Sequence, residues 1–251
     1  MKKSGLKKSS DKNNATPSFL PENNRRLKKR KAIIDDGCNP ELVTGARFDG
    51  VFEIPIIEKP KTIVIPDRVV PFSERNKVAD FNVAIGYNEM DVNFAEVLIN
   101  PAAYIEDFRR FRMMISPDCS LYRDAPLSVQ IINVYRNRAI GSYYQRKGIY
   151  VVPQIRWGNE LTYTTKVFPE KVAFLGVEKH SVVSVGTYGC VHSKEDKLYF
   201  KAGLEAMLET LEPEMVLVYG PMTKSIFSDY LHLTNFVQFD NWTKIRHGGM
   251  D

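Results

Sequence analysis

The sequence has few residues of the kinds that form covalent cross-links or metal sites. Its 251 residues include three cysteines, Cys38, Cys119 and Cys190, which are widely separated and form no CxxC pair. An odd number of cysteines at such spacings argues against a disulfide framework and against a zinc ribbon. We therefore expect reduced thiols, as in a cytoplasm, and we assign no metal ligands.

Long hydrophobic runs are also missing. No apolar stretch approaches the roughly 18 residues that would predict a transmembrane helix. The basic start, MKKSGLKKSSDKNN, is not followed by an apolar segment, so it does not predict a secretory signal. We expect a cytoplasmic protein with no membrane partner.

The familiar catalytic and nucleotide-binding signatures do not occur. Gly186 and Gly189 follow a predicted strand, but their surroundings match neither GxGxxG nor GxxxxGK[ST]. There is no serine nucleophile elbow, HExxH or kinase signature either. The sequence motifs therefore assign neither a reaction nor a cofactor.

Positive charge is concentrated at the N-terminus. Residues 1–31 contain eleven Lys or Arg and two acidic residues, whereas the remainder contains 24 basic and 28 acidic residues. The first 31 residues are also poor in apolar side chains, which predicts a disordered tail. Clustered cations bind phosphate backbones, so the run at the end of the tail is a candidate nucleic-acid-binding segment: Arg25, Arg26, Lys28, Lys29, Arg30 and Lys31. A solubilising tail without a fixed partner is the alternative.

The rest of the chain alternates short apolar strands with amphipathic helices. Residues 112–159 read as a strand, a polar loop, a long helix from about Ala125 to Lys147 capped by Asp124, and a second strand. Further strands are predicted at 181–185, 215–219 and 236–239, and a helix that begins with the capping box Ser193–Asp196 is predicted up to about residue 211. This pattern predicts an α/β fold with a mostly parallel sheet of repeated βα units covered by helices. A doubly wound sheet and a small irregular TIM-like barrel both remain open. We place the α/β domain at residues 32–240 and a C-terminal tail at 241–251.

Two early segments are harder to assign. Residues 51–57 and 62–65 resemble strands but are interrupted by prolines, which indicates edge strands or an extended segment over the core. Asn100 and Pro101 predict the start of a helix that runs to about Arg110.

Polar side chains cluster where the predicted parallel strands end, which is where α/β folds place their ligands. The candidate ligand-binding residues are Tyr122, Gln154, Arg156, Trp157, Thr187 and Tyr188. The candidate catalytic residues are Asp118 and Asp124, as a general acid and base, and Cys190, as a nucleophile near His192. Loops are commonly polar, however, and Asp118 and Asp124 would also suit turn and helix caps.

The predicted long helix carries amides in a row, Gln130, Asn133 and Asn137, beside Arg136 and Arg138. We expect this row to be a solvated face, with a buried polar network or a ligand contact as the alternative.

Several of these segments together resemble a known family. The pieces SPDCSLY, YRNR, RWG and GC followed by ED lie within a stretch, roughly Phe48 to Asp240, that is similar to domain-of-unknown-function family 4417. Members of that family are found on phages, plasmids and other mobile elements. The resemblance implies a phage or mobile-element context and roles in replication, transfer or host takeover, but it implies no catalytic residues.

Three functional hypotheses follow. The first is a protein that acts alongside nucleic acid, with the tail binding the backbone and a pocket at the strand ends. The second is an enzyme that uses this pocket for a small phosphorylated or sugar-like substrate. The third is a non-catalytic binder of a host protein.

Overall fold

The computed structural model of the protein describes residues 39–248. The tail at residues 1–31, including Arg25, Arg26, Lys28, Lys29, Arg30 and Lys31, lies outside the described residues, as does Cys38.

Parallel strands form the centre of the fold. One sheet contains, in spatial order, β3 (Val69–Pro71), β4 (Ala84–Gly86), β5 (Met113–Ile115) and β6 (Val151–Val152). A second contains β7 (Val182–Gly186), β8 (Met215–Tyr219) and β9 (Asn235–Phe239). A parallel bridge between Gln154 and Ser184 joins them just beyond the end of β6. A small antiparallel pair, β1 (Phe48–Asp49) with β2 (Ile54–Pro55), precedes both sheets.

Helices connect the strands. They are α1 (Ala95–Ile99), α2 (Ile105–Phe108), α3 (Leu127–Arg146), α4 (Glu160–Tyr163), α5 (Lys194–Leu211), α6 (Lys224–Phe227) and α7 (Trp242–Gly248). Short 3₁₀ turns lie at Pro40–Val43, Phe72–Lys77, Asp91–Asn93, Pro101–Tyr104, Val172–Phe174 and Ser228–Tyr230.

The two faces of the sheets are buried in different ways. One face packs against the helices; Val183 and Val218, for example, belong to the same apolar cluster as Leu204 and Met207 of α5. The opposite face forms a cluster made chiefly of strand side chains, and it extends from Val69 on β3 to Phe239 on β9. Because these side chains are buried without helices above them, we infer that the sheets curve around this cluster.

The predicted α/β class and parallel sheet are confirmed. The strands follow one another in space in their order along the chain, whereas a doubly wound sheet would reverse that order at a switch point. Within residues 39–248, β3 and β9 form no pair, so no closed barrel is present in that range. The architecture is a curved parallel sheet with its helices on one face.

Several local predictions need correction. The long helix begins at Leu127, and its N-terminal cap is Pro126, so the prediction that Asp124 caps it is wrong. Proline disfavours helical backbone in the residue before it, which keeps Ala125 outside the helix. In the 100–110 segment, a 3₁₀ turn leads into the short α2 instead of one continuous helix.

The early segments and the C-terminus also differ in part from expectation. Residues 62–65 contain no strand in the described structure, and β3, which follows them, was not predicted. The predicted C-terminal tail begins with α7, whose Trp242 packs against the core and donates its backbone N–H to Tyr219 Oη at 2.8 Å.

Candidate functional site

A pocket opens where the two parallel sheets separate. The Gln154–Ser184 bridge pairs the segment after β6 with β7. Beyond it, the segment after β6 leads to α4, and the segment after β7 leads to α5. The cavity between them has a volume of about 270 Å³. It is lined by Leu121, Tyr122, Arg123, Ile155, Arg156, Trp157, Gly158, Gly186, Gly189, Cys190, Asp196, Tyr199 and Phe200. The cavity therefore lies at the carboxyl ends of β6 and β7.

An ion pair lies beside the pocket. Arg156 Nε donates to Asp118 Oδ1 at 2.5 Å, and Arg156 Nη2 donates to Asp118 Oδ2. Asn88 Nδ2 donates to the same Oδ2 at 3.0 Å. Burial alone would lower the pKa of Arg156, but the Asp118 carboxylate reverses this effect and raises it. Arg156 therefore stays charged, and the two-point contact fixes its orientation against Asp118.

The two described cysteines have different surroundings. Cys190 is half-buried in the pocket wall, where Arg156 Nη1 lies 3.3 Å from its sulfur. Cys119 is fully buried, and burial, together with Asp91 and Asp118, raises the pKa of its thiol. Cys190 is thus the described thiol with access to a ligand.

Aromatic side chains surround the pocket mouth. Tyr122 and Tyr199 have 67% and 38% of their surface exposed, and the Arg123 guanidinium lies 4.4 Å from the centre of the Tyr199 ring. Trp157 lies deeper, with its ring centre 5.0 Å from that of Phe200. This rim combines π-faces with cationic groups.

A glycine in α5 makes room for Trp157. A Cβ on Gly203 would lie 2.2 Å from Trp157 Nε1, so only glycine allows the indole to lie against the helix. Glycine in a helix costs about 1 kcal/mol relative to alanine, and here this cost accompanies a defined position for the ring.

The N-terminus of α5 forms one side of the pocket. Ser193 Oγ accepts from Asp196 N at 2.9 Å, and Asp196 Oδ2 accepts from Ser193 N at 3.0 Å, which confirms the predicted capping box. These hydrogen bonds lower the pKa of Asp196. Arg123 Nη2 donates to Asp196 Oδ1 at 3.0 Å, so the cap also anchors the loop that follows β5.

The amide row on α3 is buried, so the prediction of a solvated face is wrong. Asn137 Nδ2 donates to the carbonyls of Pro117, at 2.6 Å, and Gln154, at 3.1 Å, while its Oδ1 accepts from Ser116 Oγ at 2.8 Å. Asn133 Nδ2 donates to Ser120 O at 2.7 Å. The row therefore satisfies the backbone of the loops that bear the site.

Arg138 completes this network. It is 2% exposed, and it donates to the carbonyls of Gln154, Leu175 and Ala173 at 2.8, 3.0 and 3.2 Å. Burial lowers the pKa of Arg138 to about 9. Its five N–H donors explain why an arginine is used to hold several carbonyls at once.

Three side chains close to Gly186, behind the pocket wall, keep unused hydrogen-bonding atoms. Gln154 is 1% exposed and Ser184 is fully buried, yet neither amide atom of Gln154 nor Ser184 Oγ makes a hydrogen bond within residues 39–248. The same holds for Asn88 Oδ1. Buried polar atoms without partners are uncommon, and each such case requires an explanation.

The predicted site residues divide into three groups. Tyr122, Arg156, Trp157 and Cys190 line the pocket, and Asp118 and Gln154 lie just behind it.

Thr187 and Asp124 make no contribution to the pocket lining. Thr187 is buried and donates to Pro221 O at 3.0 Å. Tyr188 is half-exposed and is not among the lining residues; its ring packs edge-on against the ring of Tyr219. Asp124 is exposed outside the pocket.

Sequence reasoning missed Asn88, Ser184, Tyr199 and Phe200. Asn88 follows β4 and Ser184 lies within β7, so the rule that polar residues gather at strand ends applied to Asn88 but was not extended to it. Tyr199 and Phe200 lie in α5, where the periodicity predicted only a core face. Their role depends on the position of α5 relative to β6, which the spacing does not provide.

Residues 39–248 show neither a membrane-spanning helix nor a cluster of metal-ligating side chains. No helix there combines the length and hydropathy needed to cross a bilayer. That range also contains no cluster of three or more His, Cys, Asp or Glu residues arranged to hold a metal ion.

The chain is similar to proteins of two mycobacteriophages. It is 32% identical over 130 residues to the Gene 1 protein of Mycobacterium phage D29, which covers 52% of this chain and 46% of that protein. It is 29% identical over 132 residues to the Gene 1 protein of Mycobacterium phage L5, covering 53% and 55%. The chain thus matches about half the length of these relatives.

No solved structure matches the chain. The family described as "Domain of unknown function (DUF4417)" matches residues 46–240, which is most of the chain and includes every residue of the pocket. The chain therefore belongs to the DUF4417 family.

Proposed function

We propose that this phage-type protein acts on nucleic acid in the host cytoplasm, and that its strand-end pocket holds one nucleotide unit of a single strand. The single observation that carries the proposal is the pocket rim, in which Tyr122 and Tyr199 are exposed beside Arg123. Proteins that bind single strands stack bases on aromatic side chains and place cations along the backbone.

The size of the pocket supports a small occupant. Its volume of about 270 Å³ is near the lower end of ligand sites, which begins at roughly 300 Å³. A single base with its sugar suits this space better than a dinucleotide or a large cofactor does.

The distribution of charge suggests different roles for the basic tail and for residues 32–251. Residues 32–251 contain more acidic than basic residues, so their overall field does not attract a polyanion. The basic run from Arg25 to Lys31 would supply backbone affinity, while the pocket would supply stacking. Tail binding is therefore expected to depend steeply on salt, and pocket binding weakly.

The enzymatic alternative uses the same pocket with a small phosphorylated or sugar-like substrate. Both oxygens of Asp118 already accept hydrogen bonds from Arg156, which suits an orienting role better than that of a general base. Cys190 is the candidate nucleophile that borders the cavity. These observations favour binding over catalysis.

The proposal is tested by measuring binding of labelled single-stranded DNA and RNA to the full chain and to a chain lacking residues 1–31, across a salt series. We expect the truncated chain to retain weaker binding that changes little with salt, and to lose it on Tyr122→Ala or Tyr199→Ala. Binding that disappears completely with the tail would overturn a nucleotide pocket in the folded part. Binding of a host protein but of no nucleic acid would favour the third hypothesis.

A further inference from the structure

We propose that Gln154, together with Ser184, reads the hydrogen-bonding edge of the base held in the pocket. The inference rests on the proposed function and adds to it the residues that determine specificity.

The side-chain amide of Gln154, behind the pocket wall, has unused hydrogen-bonding capacity. A glutamine amide can donate two hydrogen bonds and accept two, and within residues 39–248 that of Gln154 makes none. Ser184 is its direct partner across the bridge between the sheets, and Ser184 Oγ is also unused. Two buried polar groups without partners therefore lie side by side.

The Gln154 amide lies close to the pocket wall at Gly186. Gly186 lies in the pocket wall, and an atom placed where its Cβ would be lies 3.5 Å from Gln154 Nε2. A ligand atom near this point would therefore be at the limit of hydrogen-bonding distance from the amide. Any other residue at position 186 would put its own side chain in this space.

The side chain of Asn88 now occupies this space. Asn88 Nδ2 lies 2.4 Å from the same Cβ position, and it donates to Asp118 at 3.0 Å. Asn88 is half-buried, and rotation of its side chain would uncover the Gln154 amide. A ring that enters the pocket would thus replace the Asn88 amide beside Gly186.

The donor and acceptor of the Gln154 amide indicate the class of ligand. A glutamine amide offers a donor next to an acceptor, and this arrangement matches the paired acceptor and donor on the edge of a nucleobase. A phosphate would leave the amide oxygen unsatisfied, and a hydrocarbon would leave the whole amide unsatisfied. The class of ligand is therefore a planar nitrogen heterocycle, a nucleobase, whose edge points toward Gln154.

A substitution to methionine separates this role from a structural one. If Gln154 only supported the fold, Gln154→Met would lower stability. If its amide is held without partners for a ligand, an apolar side chain of similar shape would leave stability unchanged or increase it. Binding specificity would be lost at the same time.

Gln145 provides a matched control. Its Oε1 accepts from Glu58 N and its Nε2 donates to Glu58 O, both at 2.8 Å, so both polar atoms of its amide have a partner. Gln145→Met should lower the melting temperature and leave the binding preferences unchanged.

The experiment measures binding of the A, C, G and T homotrinucleotides to the full-length wild type, Gln154→Met and Gln145→Met, together with melting temperatures. The tail contacts phosphates and does not read bases, so differences among trinucleotides report on the pocket. We expect the wild type to prefer one base by about tenfold, and Gln154→Met to lose this preference without a fall in melting temperature.

Three results would overturn the inference. A wild type that binds all four equally, or a Gln154→Met variant that keeps the preference, would reject base reading by Gln154 while the proposed function stands. A wild type that binds no trinucleotide would reject both.

Discussion

Arg156 grips both carboxylate oxygens of Asp118, which is 4% exposed, directly behind the pocket. The pair connects the loop after β5 with the loop after β6, the two segments that form one wall of the site. A buried ion pair contributes little net stability compared with apolar packing, but the loss of one partner leaves an uncompensated charge. We interpret the pair as a device that fixes the position of Arg156 beside the ligand.

We predict that Asp118→Asn lowers the free energy of unfolding by about 2 kcal/mol, because Arg156, whose side chain is only 25% exposed, would lose its countercharge. Urea denaturation measures the change. The control is Asp240→Asn, which removes a half-exposed partner of Lys244 within one helical turn and should cost about 0.5 kcal/mol or less. Equal effects of the two substitutions would show that the Asp118 pair is not effectively buried in solution.

Gly203→Ala provides a test in which two effects have opposite signs. Helix propensity alone would stabilise the variant by about 1 kcal/mol. The new Cβ would collide with the indole of Trp157, so we expect a net loss of stability and a shift in tryptophan emission. Ala202→Gly, at the exposed neighbouring position, should show the propensity effect alone. A more stable Gly203→Ala variant would contradict the described packing of Trp157.

The two described thiols should differ in reactivity. In a Cys38→Ser background, we expect iodoacetamide to modify Cys190 first, because Cys190 is half-buried in the pocket wall. Cys119 should react only on unfolding, since it is buried and its pKa is raised by burial and by two nearby aspartates. Mass spectrometry of timed samples provides the measurement. Modification of Cys119 at the same rate in the folded protein would contradict this account.

The capping box of α5 predicts a pH dependence with a defined sign. The pKa of Asp196 is lowered in the folded state, so the stabilisation that its carboxylate provides is complete above the ordinary aspartate value of about 4. It is lost as the pH falls through the lowered value. We expect Asp196→Ala to reduce the melting temperature clearly at pH 7 and much less near pH 2, where the wild-type carboxyl is protonated. An equal reduction at both pH values would show that the ionised carboxylate is not what stabilises the cap.

The sequence predicted the class of fold because buried parallel strands have continuous apolar runs. Val182–Gly186 and Met215–Tyr219 are such runs, and each was located to within a residue or so. The residues that line the cavity could be named for the same reason, since Arg156 and Cys190 lie in the loops that follow such strands. Capping is equally local, and Ser193 was identified from four letters.

Tertiary relationships could not be obtained in this way. Asn137 and Arg138 have polar side chains that periodicity assigns to a solvated face, but their partners are carbonyls of distant loops. Asp124 was assigned as a cap because it precedes the helix, although Pro126 determines where the helix begins. The unused amide of Gln154 is visible only once its neighbours are placed.

The proposed function requires a nucleotide unit to occupy the pocket beside Trp157. The chain has two tryptophans, so Trp242→Phe leaves Trp157 as the single reporter. Its emission should be quenched in a saturable manner by single-stranded oligonucleotides, in a chain lacking residues 1–31, and a second substitution, Tyr122→Ala, should weaken that binding. Emission that stays unchanged while oligonucleotides bind would contradict the claim, because the nucleic acid would then lie elsewhere.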